Sequence, residues 1–139
     1  MTRAAYLRPP WWMRAIGNRV APRASKGLVA TLSVPGRVSG DWRTTPVVVL
    51  EENGERYLLA PFGDTDWSRN LRVAKIGRLT RRGKTEQITA VEVPTEKRGP
   101  LIDAYLREYG RMPNVAASFR ELPYPADHPT FHISTHRPQ

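Results

Sequence analysis

The residues with the clearest binding chemistry lie in Pro35–Thr45 (PGRVSGDWRTT), a loop between two predicted strands. Arg37 and Arg43 can each donate two parallel hydrogen bonds to a phosphate or a carboxylate. Ser39 adds a hydroxyl group, and Gly40 lets the backbone approach a ligand closely. The loop therefore predicts a binding site for an anion.

A second candidate stretch, Ala60–Leu71 (APFGDTDWSRNL), runs from a strand end through a glycine loop into a helix start. The N-terminus of a helix favours negative charge. The two stretches flank a predicted hairpin, Thr45–Pro61, so their ends should be neighbours in space. We therefore predict that both line one pocket, with flat apolar walls supplied by Trp42, Phe62 and Trp67.

Two other spacings do not support a site. The segment Gly77–Thr85 (GRLTRRGKT) has five residues between its glycines where a P-loop has four, and a predicted strand follows it instead of a helix. His128, His132 and His136 are four residues apart, but the sequence around them predicts a strand, on which such positions lie about 13 Å apart. We expect no metal site there. The chain also lacks the G-x-S-x-G and G-x-G-x-x-G motifs of hydrolases and Rossmann folds.

Composition limits the classes of function. The 139 residues are enough for one domain, and there is no cysteine. Disulfides, thiolate zinc sites, iron–sulfur clusters and thiol catalysis are thereby excluded. No apolar run approaches the roughly 20 residues of a membrane span, and no signal-peptide pattern is present. We expect a cytoplasmic protein.

The net charge of +9 is concentrated in two blocks. Residues 1–40 and residues 67–85 each hold seven Lys or Arg and no acid. Such blocks attract phosphates, anionic membranes or an anionic cofactor. No helix-turn-helix or RNP-type pattern accompanies the charge, so we predict no nucleic-acid partner.

Residues 1–27 are predicted to form a basic, helical N-terminal extension. Trp12, Ile16 and Val20 recur at four-residue intervals and so share one helical face. A short basic helix with tryptophans can lie in a membrane interface, on the inner face of the cell membrane. The alternative is that the same face packs on the rest of the protein.

Residues 28–139 are predicted to form a mainly β, α+β domain: a small barrel of about six antiparallel strands with two to three helices. Asn53-Gly54 and Gly83 mark two hairpin turns. Residues 110–129 are predicted to be a loop. The predicted strands are Leu28–Val34, Thr45–Glu51, Arg56–Pro61, Gly77–Arg82, Thr85–Val93 and Thr130–Thr135, and the predicted helices are Trp67–Lys75 and Pro100–Tyr109.

Over residues 28–135 the chain resembles the deazaflavin-dependent nitroreductase family, a branch of the split β-barrel flavin and deazaflavin oxidoreductases. The order and spacing of several segments carry the resemblance. These segments are GRVSGDWRTTPV (36–47), YLLAPFG (57–63), DWSRNLRVAK (66–75), GRLTRRGKTEQITAVEV (77–93) and HPTFHI (128–133). The resemblance implies a split β-barrel.

The resemblance also implies coenzyme F420 as the cofactor and no metal. The implied reaction is hydride transfer from the reduced deazaflavin to a hydrophobic, electron-poor acceptor such as a quinone, an enone or a nitro compound. The reactivity belongs to the cofactor, and no catalytic side chain is implied.

The resemblance assigns residues to parts of this site. The phosphate and polyglutamate tail of the cofactor would lie at Arg37, Ser39, Gly40 and Arg43. The deazaflavin would lie over Thr45 and Pro46. The residues bordering the tail or the ring would be Ala60, Pro61, Trp67, Asn70 and Leu71. The substrate pocket would include Trp42, Phe62 and Tyr109.

Two departures from the family pattern leave alternatives open. Val38 stands where many members have lysine, and the loop Phe62–Asp66 is shorter than usual. Arg69 and Arg72 are candidates to replace the missing positive charge. The alternative function is a non-catalytic barrel that binds fatty acids or other lipids at a membrane surface. A third is a binder of another flavin-like or tetrapyrrole ligand.

Overall fold

The computed structural model describes residues 29–112 and 114–136. Within these residues, six antiparallel strands close into a barrel in the order β1-β2-β3-β6-β5-β4, and three α-helices pack around it. The strands are β1 (Val29–Pro35), β2 (Trp42–Glu52), β3 (Glu55–Leu59), β4 (Ile76–Arg81), β5 (Lys84–Glu92) and β6 (Thr130–Thr135). The helices are α1 (Asp66–Ala74), α2 (Gly99–Tyr109) and α3 (Val115–Glu121). The predicted fold class is confirmed. The extension predicted for residues 1–27 lies outside the described residues and stays a prediction.

Alternate strand residues form the core of the barrel, because successive side chains of a strand point to opposite faces. In β1, for example, Ala30, Leu32 and Val34 are buried while the residues between them are partly exposed. The buried interior cluster consists of Ala30, Leu32, Val34, Val47, Val49, Leu58, Leu71, Leu79, Ile88, Ala90, Phe131 and Ile133.

A second core lies outside the barrel, under α2 and α3. Val48 and Leu50 of β2 point away from the interior and pack against Ile102, Tyr105 and neighbouring helix residues. The run Val47–Leu50 is therefore buried on both faces, which explains its continuous apolar sequence.

Two tight hairpins form where the sequence predicts them. Asn53 and Gly54, and likewise Arg82 and Gly83, have positive φ angles at both turn positions. Such paired positive angles are typical of two-residue type I′ hairpin turns. The segment Gly77–Thr85 is therefore a hairpin and not a phosphate-binding P-loop.

The structure corrects two boundaries. First, β2 begins at Trp42, which pairs with Pro35, so the loop predicted to reach Thr45 is shorter. Second, residues 110–129 are not a continuous loop, because they contain α3 and a short 3₁₀ turn at Pro125–Asp127.

The barrel has two differently built ends. The loop end carries the turn Gly36–Asp41 between β1 and β2, together with α1. The hairpin end carries the turns Asn53–Gly54 and Arg82–Gly83. Within residues 29–112 and 114–136, no helix is long and apolar enough to cross a membrane.

Candidate cofactor site

The turn at the loop end is closed by its own backbone. The amide of Gly36 donates to the carbonyl oxygen of Asp41 (2.7 Å), and the amide of Gly40 donates to that of Gly36 (3.0 Å). Gly40 has a φ of +80°, and a Cβ atom on Gly36 would lie 3.1 Å from the Asp41 carbonyl oxygen. These two glycines are therefore needed for a turn that leaves Arg37 and Ser39 on the surface.

Asn70 of α1 connects the helix to this turn. Its Oδ1 atom accepts two hydrogen bonds from Arg37, one from the backbone amide (3.0 Å) and one from Nη1 (2.7 Å). Asn70 is only 4% exposed, so its position is set by packing. Arg37 Nη2 lies 3.5 Å from Asp66, one helical turn before Asn70. The two stretches predicted to be neighbours are neighbours.

A cavity of about 300 Å³ lies at this junction. Ser39 Oγ accepts a hydrogen bond from the Asp41 amide (3.1 Å), so its hydroxyl proton can point to a ligand. Arg43 forms no ion pair within the described part of the chain. The cavity is lined by Gly36, Arg37, Val38, Ser39, Arg43, Asp66 and Asn70.

The chemistry of this cavity suits an anion. Two guanidinium groups and one hydroxyl donor face one carboxylate, that of Asp66, whose side chain is 84% exposed. The N-terminus of α1, at Asp66, adds a partial positive charge. Oxygen atoms of a phosphate are the ligand that these donors match best.

The other face of α1 is held by a charged network. Arg72 Nε donates to Glu92 Oε1 at 2.7 Å and Arg72 Nη2 to Glu92 Oε2 at 2.9 Å. Arg72 Nη1 lies 3.3 Å from an oxygen of Asp64. The hydrogen bonds that Arg72 donates to Glu92 are the main reason that the pKa of Arg72 is raised. Burial alone would raise the pKa of Asp64, but hydrogen bonds from Ser68 and Arg72 lower it overall.

Arg69 and Arg72 therefore do not supply free positive charge to the cavity. Arg69 forms an ion pair with Asp64 (3.5 Å), and Arg72 is shared between Asp64 and Glu92. The structure does not support the prediction that these two arginines replace the missing lysine, because both are engaged in ion pairs with Asp64 or Glu92 and neither lines the cavity.

Arg98 extends the network and was not foreseen from the sequence. It is 6% exposed, donates to Glu92 Oε2 (3.1 Å), and also donates to the carbonyl oxygens of Val93 (2.9 Å) and Pro125 (3.1 Å). Burial lowers its pKa. The acceptors are largely backbone carbonyls, which leave no side-chain signal in a sequence.

Several predicted site residues do not line the cavity. Ala60, Pro61, Phe62 and Leu71 are buried. Trp67 is partly buried, with its ring centroid 6.0 Å from that of Phe131. Thr45 and Pro46 are half-buried on β2. Phe62 and Trp67 thus pack against the protein instead of forming the walls of this cavity.

Trp42 and Tyr109 have separate surroundings. Trp42 is 42% exposed, and the guanidinium carbon of Arg78 lies 4.1 Å from the centroid of its ring. The hydroxyl of Tyr109 donates to the backbone oxygen of Val49 (2.7 Å), and burial raises its pKa to about 12. Tyr109 borders a different cavity of about 1030 Å³, together with Arg81 and other residues of the hairpin end.

The three histidines do not converge. His128 is fully buried, and its ring nitrogens lie 2.9 Å from the Ala60 oxygen and 2.6 Å from the Leu122 oxygen. His132 pairs with Glu55. Across the described residues, no group of three or more His, Asp or Glu side chains is arranged to hold a metal ion.

The family model of F420H(2)-dependent quinone reductases matches residues 9–119. The chain belongs to this family. It is an F420-dependent reductase with F420 as its cofactor, as the resemblance implied. No protein of curated function matches the chain.

Solved structures show the same fold at low sequence identity. An F420-H2-dependent reductase, FDR-A, is 22% identical, with a TM-score of 0.57 over 77% of this chain and 94% of that one. Protein Atu2129 of Agrobacterium tumefaciens, of unknown function, is 18% identical, with a TM-score of 0.62 over 96% and 59%. The heme storage protein HutZ of Vibrio cholerae is 11% identical, with a TM-score of 0.58 over 82% and 85%.

The donor set at the loop end fits the anionic end of F420. The tail of this cofactor carries a phosphate and carboxylates, which match the guanidinium groups of Arg37 and Arg43. A volume of about 300 Å³ is at the lower limit for small-molecule sites. It suits the phosphate and not the whole cofactor.

Proposed function

We propose that this reductase binds the phosphate tail of F420 in the loop-end cavity and transfers hydride to a hydrophobic, quinone-like acceptor. Arg37, Arg43 and Ser39 bind the phosphate, and Gly40 keeps the turn open beside it. The main support is the pair of hydrogen bonds from Arg37 to Asn70 Oδ1, at 3.0 and 2.7 Å, which orient the guanidinium at the cavity.

The ring of the cofactor is proposed to lie along β2, beside Thr45 and Pro46. Trp67 and Leu71 would support it from α1, and Ala60 and Pro61 from the end of β3. When bound, reduced F420 supplies the hydride. The protein residues position the cofactor and exclude water from its reactive face.

The acceptor is proposed to be a quinone, with enones and nitro compounds as further substrates. The family name supports a quinone. Among residues 29–112 and 114–136, the only carboxylic acid that lines the loop-end cavity is the exposed Asp66. We therefore propose that solvent supplies the proton to the reduced acceptor. Membrane contact through residues 1–27 remains a prediction, and it would bring the enzyme close to lipid-soluble quinones.

Replacing Arg37 with alanine tests the phosphate site. A lost charged hydrogen bond is expected to weaken F420 binding by about 1–3 kcal/mol, or about 5- to 150-fold. Fluorescence titration with oxidised F420 measures the dissociation constant. The matched control is Arg107→Ala, because Arg107 is an exposed arginine paired with Glu52 on another part of the surface.

An unchanged dissociation constant in Arg37→Ala would remove Arg37 from the site. If the wild-type protein shows no F420 binding at all, the proposed function fails. Extraction of the purified protein with organic solvent then tests the alternative, since a lipid-binding barrel would release a co-purified lipid.

A further inference from the structure

Helix α1 needs external support to hold Asn70 in place. It has nine residues, and an isolated helix of that length is not stable in water. Leu71 anchors it in the barrel core, where it is fully buried. Trp67 and Ala74 pack against the same core from the same face of the helix. The polar contacts on either side of this apolar face then fix the exact rotation of the helix about its own axis.

Arg72 is placed to set that rotation. Asn70 and Arg72 are two residues apart, about 200° around the helix, so they project from nearly opposite faces. On one face Asn70 bonds to Arg37 of the β1–β2 turn. On the other face Arg72 bonds to both oxygens of Glu92, at the end of β5, at 2.7 and 2.9 Å. The helix is thus held on one side by the β1–β2 turn and on the other side by β5.

A small rotation of α1 would disturb the cavity. Side-chain atoms lie about 5–6 Å from the axis of a helix, so a turn of about 20° displaces them by about 2 Å. The hydrogen bond between Arg37 Nη1 and Asn70 is 2.7 Å long and would not survive such a displacement.

We propose that Arg72 is a positioning residue for the phosphate site. It does not line the cavity, and it acts through α1 and Asn70 on Arg37. This inference rests on the proposed function, in which Arg37 binds the cofactor phosphate.

The network allows Arg72 to be replaced without leaving a carboxylate unpaired. Asp64 keeps its ion pair with Arg69 (3.5 Å), and Glu92 keeps its ion pair with Arg98 (3.1 Å). Arg72→Met, which retains an unbranched apolar stem, is therefore expected to fold. Arg72→Lys is the second variant, because lysine keeps the charge but cannot form the two parallel hydrogen bonds with Glu92.

The matched control is Arg56→Met. Arg56 also binds both oxygens of a glutamate, Glu86, at 2.9 and 3.0 Å, but at the hairpin end. It controls for the general loss of an arginine–glutamate pair in the barrel wall.

The experiment measures binding of two probes, F420 and the deazaflavin chromophore that lacks the phosphate tail. We expect Arg72→Met to weaken F420 binding about 10-fold, Arg72→Lys to weaken it less, and neither to change binding of the tail-less probe. In an Arg37→Ala background, Arg72→Met is expected to add nothing. Arg56→Met is expected to leave both affinities unchanged.

Three results would overturn the inference: wild-type F420 affinity in Arg72→Met, equal loss for both probes, or an additive effect in the Arg37→Ala background. If Arg72→Met does not fold, Arg72→Lys decides, and wild-type affinity in that variant overturns the inference. A different result, equal affinity of the wild-type protein for the two probes, would instead contradict the proposed phosphate site.

Discussion

The two ends of the barrel use the same residue types in different ways. At the hairpin end, the inward-facing rows of side chains continue into charged residues that pair with each other. Arg56 binds Glu86 through two hydrogen bonds, Thr135 donates to Glu86 (2.9 Å), and Arg81 lies 3.8 Å from Glu51. Positive and negative charges therefore balance there.

At the loop end the closest partner of the key arginine is neutral. Arg37 is held by the amide oxygen of Asn70 at 2.7 Å, while the carboxylate of Asp66 is farther away, at 3.5 Å. Arg43, two positions before Thr45 in the same inward-facing row of β2, has no ion pair among residues 29–112 and 114–136. An amide orients a guanidinium without neutralising it, so this end keeps positive charge for a ligand.

The largest expected effect comes from making the loop end resemble the hairpin end. Asn70→Asp would place a carboxylate beside Arg37, compensate its charge and repel the cofactor phosphate. We expect F420 affinity to fall about 10- to 100-fold, without loss of thermal stability. Titration and thermal unfolding measure the two quantities.

The control for added charge is Asn53→Asp, in the turn at the hairpin end, where the positive φ of 54° tolerates aspartate. It should leave F420 affinity nearly unchanged. A large effect in Asn53→Asp would mean that overall charge, and not the partner of Arg37, sets the affinity.

The removal of a charge at the hairpin end is expected to affect stability. Arg56→Met would remove the two hydrogen bonds that Arg56 donates to the partly buried Glu86 and leave only the one from Thr135. We expect a loss of about 1–3 kcal/mol in the free energy of unfolding, measured by urea denaturation. Equal stability of the variant and the wild type would show that the Arg56–Glu86 pair contributes nothing to the free energy of unfolding.

Low pH should reduce the stability that charged groups contribute at both ends of the barrel. The hydrogen bonds from Arg56 lower the pKa of Glu86, and the pKa of Asp64 is also lowered overall. The folded pKa of each group lies below its unfolded value of about 4. The stability that each ionised carboxylate contributes to the fold is therefore fully present above that value and is lost as the pH falls through the folded pKa.

Urea denaturation at pH 7, 5 and 3 checks this dependence. Glu86→Gln and Asp64→Asn should each lose less stability on acidification than the wild type. Parallel curves for all three proteins would contradict the assigned cause.

The smallest expected effect is a gain in F420 affinity. Val38 lines the cavity and is 94% exposed, so Val38→Lys would restore the lysine of the family pattern at little structural cost. We expect F420 to bind about 2- to 5-fold tighter, as for a solvent-exposed ion pair. The gain should shrink at 0.5 M salt because exposed charges are screened, and a gain that persists at that concentration would point to a different cause.

Much of the barrel could be predicted from local sequence. Asn53-Gly54, Gly83 and the strand residues around them predict the hairpins that the structure confirms. The sequence also predicts that Arg37 and Asn70 lie close together, since the stretches Pro35–Thr45 and Ala60–Leu71 flank one hairpin. These features depend on short-range chemistry or on simple topology.

The remainder depends on tertiary contacts. Helix α3 has seven residues and follows Asn114 in a proline-rich region, so its periodicity at Val115, Ser118 and Leu122 was too short to stand out. Arg72 was predicted to add positive charge at the site and Arg98 was not singled out, because their partner Glu92 is 20 and 6 residues away from them in sequence. Aromatic side chains such as Phe62 were expected at a ligand and pack into the protein instead.

The bonds from Arg37 to Asn70 also have an entropic consequence. A free arginine side chain carries about 2 kcal/mol of rotamer entropy, and Asn70 restrains both the backbone and the guanidinium of Arg37. That entropy is lost when the chain folds and not when the cofactor binds. The turn is thus preorganised, and we expect F420 to associate in a single step without a slower ordering phase.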